Sequence, residues 1–514
     1  MNNLNFLVDV LKESPVFKTL EKNVKPGRTV CASGLSTINK SNIIYALCRL
    51  KGVTAFCLAS DEKEAQTLCN DLSCMGLRAY VYPVRDFNFL DFQSRSHEYE
   101  HARLKVLLKL LNHECDVAIA CVDAAAQLTV PRNVLEQSVI EFEEGRELSL
   151  EKATKALTLL GYERFDAVEG SGQFSLRGGI LDFFMPDSDY PVRCEFWGDE
   201  ITDLSYFDIE TQRRFKKADK ITLSPSTEIV IEDRAALADK IEHKAKLLRS
   251  KNSAKAKEKL FSEAELIRSG AMIANADKFI NQIYDKPESL FDYLDRNTLV
   301  FASEFTAIQE RGKSMDFISN ETLMQGFEDG TLCRGFDRFA LTFNECTEFL
   351  QSHGTIVLEN FVHGSMPIKL SEIISFSTKQ LSAWGGSYKQ LKEDVDGLFT
   401  PESKGVIFAG TERAAKNLCD TFNADGINAV YSEGADKISK GELLVMQGAL
   451  SAGFEYPSQK FLVLCPYFVP SKARNFASGF HPICAWIPPQ GLPLPPCPIL
   501  VNYFQSKDVF RALR

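Results

Sequence analysis

No intact nucleotide-binding signature occurs in these 514 residues. No complete G-x-x-x-x-G-K-[ST] phosphate loop is present, and no apolar strand ends in an Asp-Glu pair, so the chain offers no full set of groups for a nucleotide and its metal. No run reaches about 18 apolar residues, so no membrane span is expected. None of the 14 cysteines forms a C-x-x-C pair. Several sit in apolar strands (Cys31, Cys57, Cys121), where free thiols behave as small hydrophobes, and a reducing cytoplasm is expected. A basic excess is lacking too: 59 Lys and Arg stand against 69 Asp and Glu, for a net charge of −10. That excludes a wholly basic nucleic-acid coat and leaves room for a local basic patch. The opening MNNLNFLVDVLKESPVF carries acids and lysines and reads as an amphipathic helix, not a signal peptide.

What is present is a large folded chain, 45% hydrophobic and 25% charged, long enough for about three or four domains. From residue 27 to 130 the apolar runs RTVCAS, VTAFCLAS, RAYVYP and DVAIACV alternate with helical stretches such as DEKEAQTLCNDLSCMG and HARLKVLLKLLN. Such alternation predicts an α/β domain, a parallel sheet with helices on both faces. Short alternating strands follow between 139 and 226 and predict a small α+β insert. A helical, lysine-rich stretch and the strand-like DYLDRNTLVFASE predict that the first domain resumes over 227–325. A second small α/β domain is expected over 326–466, built from TIVLENF, GVIFAGTERAAKNLCDTF, INAVYS and GELLVMQG. The segment 467–514 differs: nine of the chain's 20 prolines fall between Pro466 and Pro498. Proline removes an amide donor and fixes φ, so no regular structure is expected there.

Four features carry chemical alternatives. GLSTINKS, Gly34 to Ser41, is a phosphate loop with Asn39 in place of its second glycine. Gly34, Lys40 and Ser41 keep the pattern, whereas a side chain at 39 crowds the phosphates, so the loop reads as degenerate and vestigial. Asp123 is the best-placed acidic metal partner, or else a helix cap. HEYEH, His97 to His101, has zinc spacing, yet no third ligand follows, and Glu98 and Glu100 suit the first turn of a helix. RGGILDFFMPDSDYPVRCEFWGDEITDLSYFDIETQRRF, residues 177 to 215, sets Arg177 and Arg193 near Trp197. Arginine with a large aromatic is hot-spot composition for a protein interface; the alternative is a half-buried sheet whose arginines pair with local acids such as Asp182 and Glu195. The run DKIEHKAKLLRSKNSAKAKEKL is either a solvated helix face or a DNA phosphate contact.

The third of these features resembles the insert shared by UvrB and the Mfd family of transcription-repair coupling factors, with GYERFDAVEGSGQFSLRGG upstream in the same pattern. VYPVRDFNFLDFQSRSHEYEHARLKVL is similar to the Mfd version of the first domain; UvrB would carry a tyrosine-rich hairpin where only Phe87, Phe89 and Phe92 stand here. VMQGALSAGFEYPSQKF, residues 445 to 461, is similar to the end of the Mfd linker domain. The resemblance implies a degenerate helicase-like first domain that has lost its ATPase motifs. It implies that the insert binds UvrA through Arg177, Arg193 and Trp197, the last in place of the family's usual phenylalanine.

By the same resemblance, the full-length family continues into a polymerase-binding domain and an ATP-driven translocase. ATP and magnesium are therefore expected only for that motor, and RNA polymerase and DNA only as partners of the full-length protein. In that protein the UvrA-binding surface is expected to be masked by the C-terminal end. The tail after Tyr467 departs from the family, as a truncated or frame-shifted reading would. The expectation is a monomeric, non-catalytic recruitment module for transcription-coupled nucleotide excision repair. The alternative is a UvrB-like ATP-dependent helicase with an unusual phosphate loop.

Overall fold

A computed structural model describes residues 4–85, 97–249, 253–270, 276–361, 366–384 and 387–465. Phe87, Phe89, Phe92, residues 250–252 of the lysine-rich run and the segment 467–514 lie outside the described residues.

Four strands open the chain: β1 (Val30–Ser33), β2 (Ala55–Ala59), β3 (Ala79–Tyr82) and β4 (Val117–Cys121). Every residue of β1, β2 and β4 is buried, the pattern of parallel strands covered on both faces. The insert then contributes eight strands. β5 (Ile140–Glu143) pairs antiparallel with β12 (Lys220–Leu223). Between them β6 (Glu163–Arg164), β7 (Gln173–Arg177), β8 (Ile180–Phe183), β9 (Val192–Trp197), β10 (Glu200–Phe207) and β11 (Arg214–Lys217) form a six-stranded sheet in reverse numerical order. Its inner face packs Phe174, Leu181, Phe183, Val192, Cys194, Ile201 and Leu204 against Ala153 and Leu157 of the helix Leu150–Leu159. The alternation read in the sequence is this face: one residue in two is turned to the helix.

After the insert the helices Arg234–Leu247 and Ser253–Arg268 pair through Leu237, Ile241, Leu260, Ala264 and Ile267. The lysine-rich run thus owes its helical period to an apolar stripe that joins two helices. The first sheet then resumes with β13 (Leu299–Ser303), β14 (Thr355–Glu359) and β15 (Glu372–Ser375). Its order is β15-β1-β14-β13-β2-β4-β3, parallel throughout.

This corrects the boundary expected at 326. TIVLENF supplies β14, the strand between β1 and β13, so the first domain runs past residue 375. A wholly buried strand reads the same in any parallel sheet, and its sequence does not say which neighbours it pairs with. The second sheet begins at β16 (Lys379–Leu381) and continues with β17 (Lys404–Phe408), β18 (Ala429–Tyr431), β19 (Leu443–Met446), β20 (Gly453–Tyr456) and β21 (Phe461–Leu464), ordered β16-β20-β21-β17-β19-β18. One hydrophobic core unites the helix Thr37–Lys51 with residues of this second sheet, among them Phe408, Met446, Phe454 and Phe461. Among the described residues no helix is long and apolar enough to cross a membrane.

The insert is fastened where the chain leaves it. Arg103 and Glu228 are both fully buried and meet at 2.6 Å. Glu228 also accepts from Thr129 at 2.7 Å, and Arg103 donates to Gln127 at 2.8 Å and to the Pro83 carbonyl at 3.1 Å. Breaking a buried pair leaves an uncompensated charge and costs about 3–5 kcal/mol. Glu228→Gln is therefore expected to lower the urea midpoint clearly. Lys155→Ala, which breaks the exposed Lys155–Glu151 pair, is expected to shift stability by less than about 1 kcal/mol. Equal midpoints for the two variants would show that the Arg103–Glu228 pair does not hold the insert.

Candidate functional site

Two places are built from the residues singled out by the sequence: the crevice behind β1 and the outer face of the insert sheet. In the crevice the helix starts at Thr37, so Asn39, Lys40 and Ser41 sit in its first turns rather than in an open loop. Gly34 has φ +78°, and a Cβ there would lie 2.2 Å from the Phe376 carbonyl oxygen; only glycine fits. Lys40 is 2% exposed. Its Nζ lies 2.9 Å from Ser303 Oγ, 2.5 Å from Glu304 Oε1 and 3.3 Å from Glu64 Oε1. The ammonium that a working loop offers to phosphate is thus turned to protein carboxylates. Glu304 reaches it from a left-handed backbone, φ +56°, a conformation that costs a non-glycine residue roughly 1–3 kcal/mol. Burial alone would raise the Glu64 carboxyl, but Lys40 and the hydroxyls of Ser303 and Ser60 hold it below its usual value.

Ser41, the magnesium position of such a loop, donates instead to the Thr37 carbonyl and to Asp71, both at 3.3 Å. Asp71 is buried and holds the backbone amide and hydroxyl of Ser451, each at 2.7 Å. Tyr456 donates to Asn42 at 2.9 Å. Asn39 accepts from Ser36 at 2.7 Å. The polar positions of this helix therefore fasten the second sheet's domain onto the first. Asp123 is taken by Arg311, at 3.0 and 2.7 Å.

HEYEH opens the helix Glu98–Leu111. The His97 and His101 rings stack with centroids 5.9 Å apart. His97 Nδ1 lies 2.9 Å from Glu100, which also accepts from the Thr227 hydroxyl and the Glu228 amide, both at 2.8 Å. Burial pushes the His101 imidazole down to about 4. Among the described residues no group of three or more His, Cys, Asp or Glu is arranged to hold a metal.

The insert face is open. Strand register places Ser175, Asp182, Arg193 and Ser205 in one row, and Ile180 beside Arg177 and Glu195 in the next. Trp197, two residues beyond Glu195, lies on the same face at the Gly198 turn and is 83% exposed. Gly179 permits β8 to approach β9, since a Cβ would sit 2.8 Å from the Phe196 carbonyl oxygen. Asp182, 1% exposed, receives Arg177 at 2.7 Å and both Nε and Nη2 of Arg193, at 2.7 and 2.8 Å. Arg214 pairs with Glu195 and, at 2.8 Å, with Asp203. The sequence reading named the three residues of this face and the acids Asp182 and Glu195. It missed Arg214, Asp203 and Gln212, whose places depend on register and on a left-handed turn at Gln212.

One comparison with known proteins falls on this insert. Residues 140–229 match the family model described as the UvrB interaction domain. The insert is thus similar to the UvrB interaction domain. Across most of its length the chain is similar to proteins named transcription-repair-coupling factor. The one from Bacillus subtilis (strain 168) is 26% identical over 468 residues, 88% of this chain and 39% of the relative. One from Staphylococcus epidermidis is 25% identical over 405 residues, covering 75% and 33%. One from Staphylococcus aureus (strain MRSA252) is 22% identical over 472 residues, covering 90% and 40%. The chain spans about two-fifths of the length of the B. subtilis and S. aureus relatives and a third of the S. epidermidis one. The insert that matches this family model carries the open face.

The crevice makes a pH prediction. Glu359, at the end of β14, accepts from the Phe305 amide at 2.8 Å. Burial above all, and then the Glu304 carboxylate, push its carboxyl up from 4.5 to about 7. A carboxyl raised on folding stabilises the fold in its protonated form. That contribution is complete below about pH 4.5 and is lost as pH rises through 7. Glu359→Gln is expected to flatten the dependence of the thermal midpoint on pH across this window and to raise it at pH 8. An unchanged profile would show that Glu359 does not titrate there.

Proposed function

We propose that this chain is a recruitment module for transcription-coupled nucleotide excision repair, docking UvrA through the outer face of its UvrB interaction domain. The observation that carries the reading is Trp197, a large indole left 83% exposed at the end of a rigid strand and beside a paired-arginine cluster. An exposed aromatic with arginine is the composition from which interface hot spots are made. The match to the UvrB interaction domain and the similarity to transcription-repair-coupling factors support it. Docking is a matter of surface complementarity and calls on no bond chemistry in these residues. RNA polymerase and DNA enter through the longer protein to which the relatives correspond.

The second reading is an ATP-dependent helicase of the UvrB type. Against it stands Lys40, which is held by Ser303, Glu64 and Glu304. To meet a phosphate it would have to leave two carboxylates behind in a buried crevice. We therefore propose that neither ATP nor magnesium is a ligand of this chain.

Calorimetric titration of the chain into UvrA, without nucleotide, tests both readings. Binding is expected, and Trp197→Ala and Arg177→Glu are each expected to weaken it by at least about tenfold, the effect of a loss near 1.4 kcal/mol. Equal binding by both variants and the wild type would remove the docking reading. Titration with ATP and magnesium is expected to give no heat of binding; binding that Lys40→Ala abolishes would establish the second reading.

A further inference from the structure

We propose that two copies of this chain pair across a two-fold axis, through the C-terminal half of the helix Phe305–Asp329. The contact lies apart from the insert and does not depend on the docking reading. It puts a weak dimer in place of the monomer expected from the sequence.

This helix of 25 residues is covered on one side only. Its inner side is fixed at three points. A Cβ on Gly312 would lie 2.1 Å from the Phe343 ring, and one on Gly326 would lie 2.6 Å from the Leu332 side chain. Between them Asp316 accepts from the Phe343 amide at 3.0 Å. From Lys313 to Asp329 only Gly326 is buried.

The outer side carries a stripe of Lys313, Phe317, Asn320, Glu321, Met324 and Glu328, all exposed. At 3.6 residues per turn these positions fall within an arc of about 100°. Phe317 is 66% exposed and Met324 58%. A single exposed apolar residue is ordinary, but two on one stripe, separated by two turns, form a seam. Among the described residues Lys313, Glu321 and Glu328 form no ion pair.

The order of residues along the stripe selects the occupant. Two helices that run antiparallel about a two-fold axis present the same patch to each other. Residue i of one then faces residue j of the other wherever i + j is constant. With the axis between Asn320 and Glu321, Phe317 faces Met324 of the second copy, and this contact occurs twice. Lys313 faces Glu328 of the second copy, also twice, at the two ends of the seam. Glu321 faces Asn320, whose side-chain amide is a donor for it. A register one turn away would set Phe317 against Asn320 and Lys313 against Met324, and neither the apolar contact nor the charge pair would form. A foreign partner would need a complementary array of its own; a second copy already has it.

The seam is small, so the pairing is weak, with a Kd on the order of 10 µM. Such a pair displays two inserts, and a partner with two sites gains from the raised effective concentration.

Sedimentation equilibrium of the full chain, across concentrations that span this Kd, tests the proposal, with folding of each variant checked by circular dichroism. A monomer–dimer equilibrium is expected. A chain that stays monomeric throughout, or one that grows beyond the dimer, would overturn the proposal. Phe317→Ser is expected to weaken pairing at least about tenfold. Ile318→Ser is expected to leave it unchanged, because Ile318, though 62% exposed, points about 100° away from Phe317. Equal losses in these two variants would overturn the register. Lys313→Glu and Glu328→Lys are each expected to weaken pairing several-fold by setting like charges together, and the double variant to restore it. A double variant no better than either single one would overturn the antiparallel arrangement. Should Phe317→Ser fail to fold, Met324→Ser removes the opposite side of the same contact and is held to the same tenfold loss.

Discussion

The Arg103–Glu228 pair is the joint on which the rest of the molecule turns. Arg103 belongs to a helix of the first domain, and Glu228 comes just after the last insert strand. Two opposite charges with no solvent exposure are stable only if their remaining donors and acceptors are met. Here Thr129, Gln127 and the Pro83 carbonyl meet them. Glu100 extends the joint by holding Thr227 and the Glu228 amide. The motif that in sequence has zinc spacing thus serves the mounting of the insert. A sheet fixed in this way presents its outer face in one orientation, so little ordering is required when a partner docks.

A similar economy governs the crevice. A loop that binds phosphate needs open amides, a free ammonium and a hydroxyl aimed at a metal. In this chain the ammonium and the hydroxyl have other partners. Lys40 faces Glu304 and Glu64, Ser41 faces Asp71, and the helix that carries them is buried under the second sheet's domain. Asn39 also has a place in this arrangement. Within the first turn of a helix it needs no unusual φ, and its side chain completes a hydrogen bond with Ser36. The glycine of a working loop would gain nothing at that position.

The sequence was most informative where a pattern has a physical period. Alternating strands and helices disclosed the parallel sheet, and the two-residue alternation of 173–207 disclosed the insert and its two faces. It was least informative where the pattern saturates. TIVLE is buried at every position, so nothing in it marks the sheet to which it belongs, and the domain boundary was misplaced. The same limit applies to the site. Arg177, Arg193 and Trp197 are separable from the rest by composition, yet their exposures of 48%, 12% and 83% depend on cross-strand neighbours that composition does not record. Glu304 is a further case. A glutamate after a buried strand resembles many others until its left-handed φ places the carboxylate beside Lys40.

The insert and the crevice illustrate opposite uses of the same chemistry. In both, cationic side chains meet carboxylates, and the degree of burial sets the outcome. In the crevice one ammonium faces two carboxylates within a closed core, and no positive charge remains to attract an anion. On the insert two guanidinium groups face one buried carboxylate, and the half-exposed Arg177 leaves a positive charge on the same face as an exposed indole. Low dielectric strengthens the first arrangement and makes it costly to open. In the second, solvent reaches and screens Arg177 alone. The surplus of positive charge therefore lies on the insert and not in the crevice.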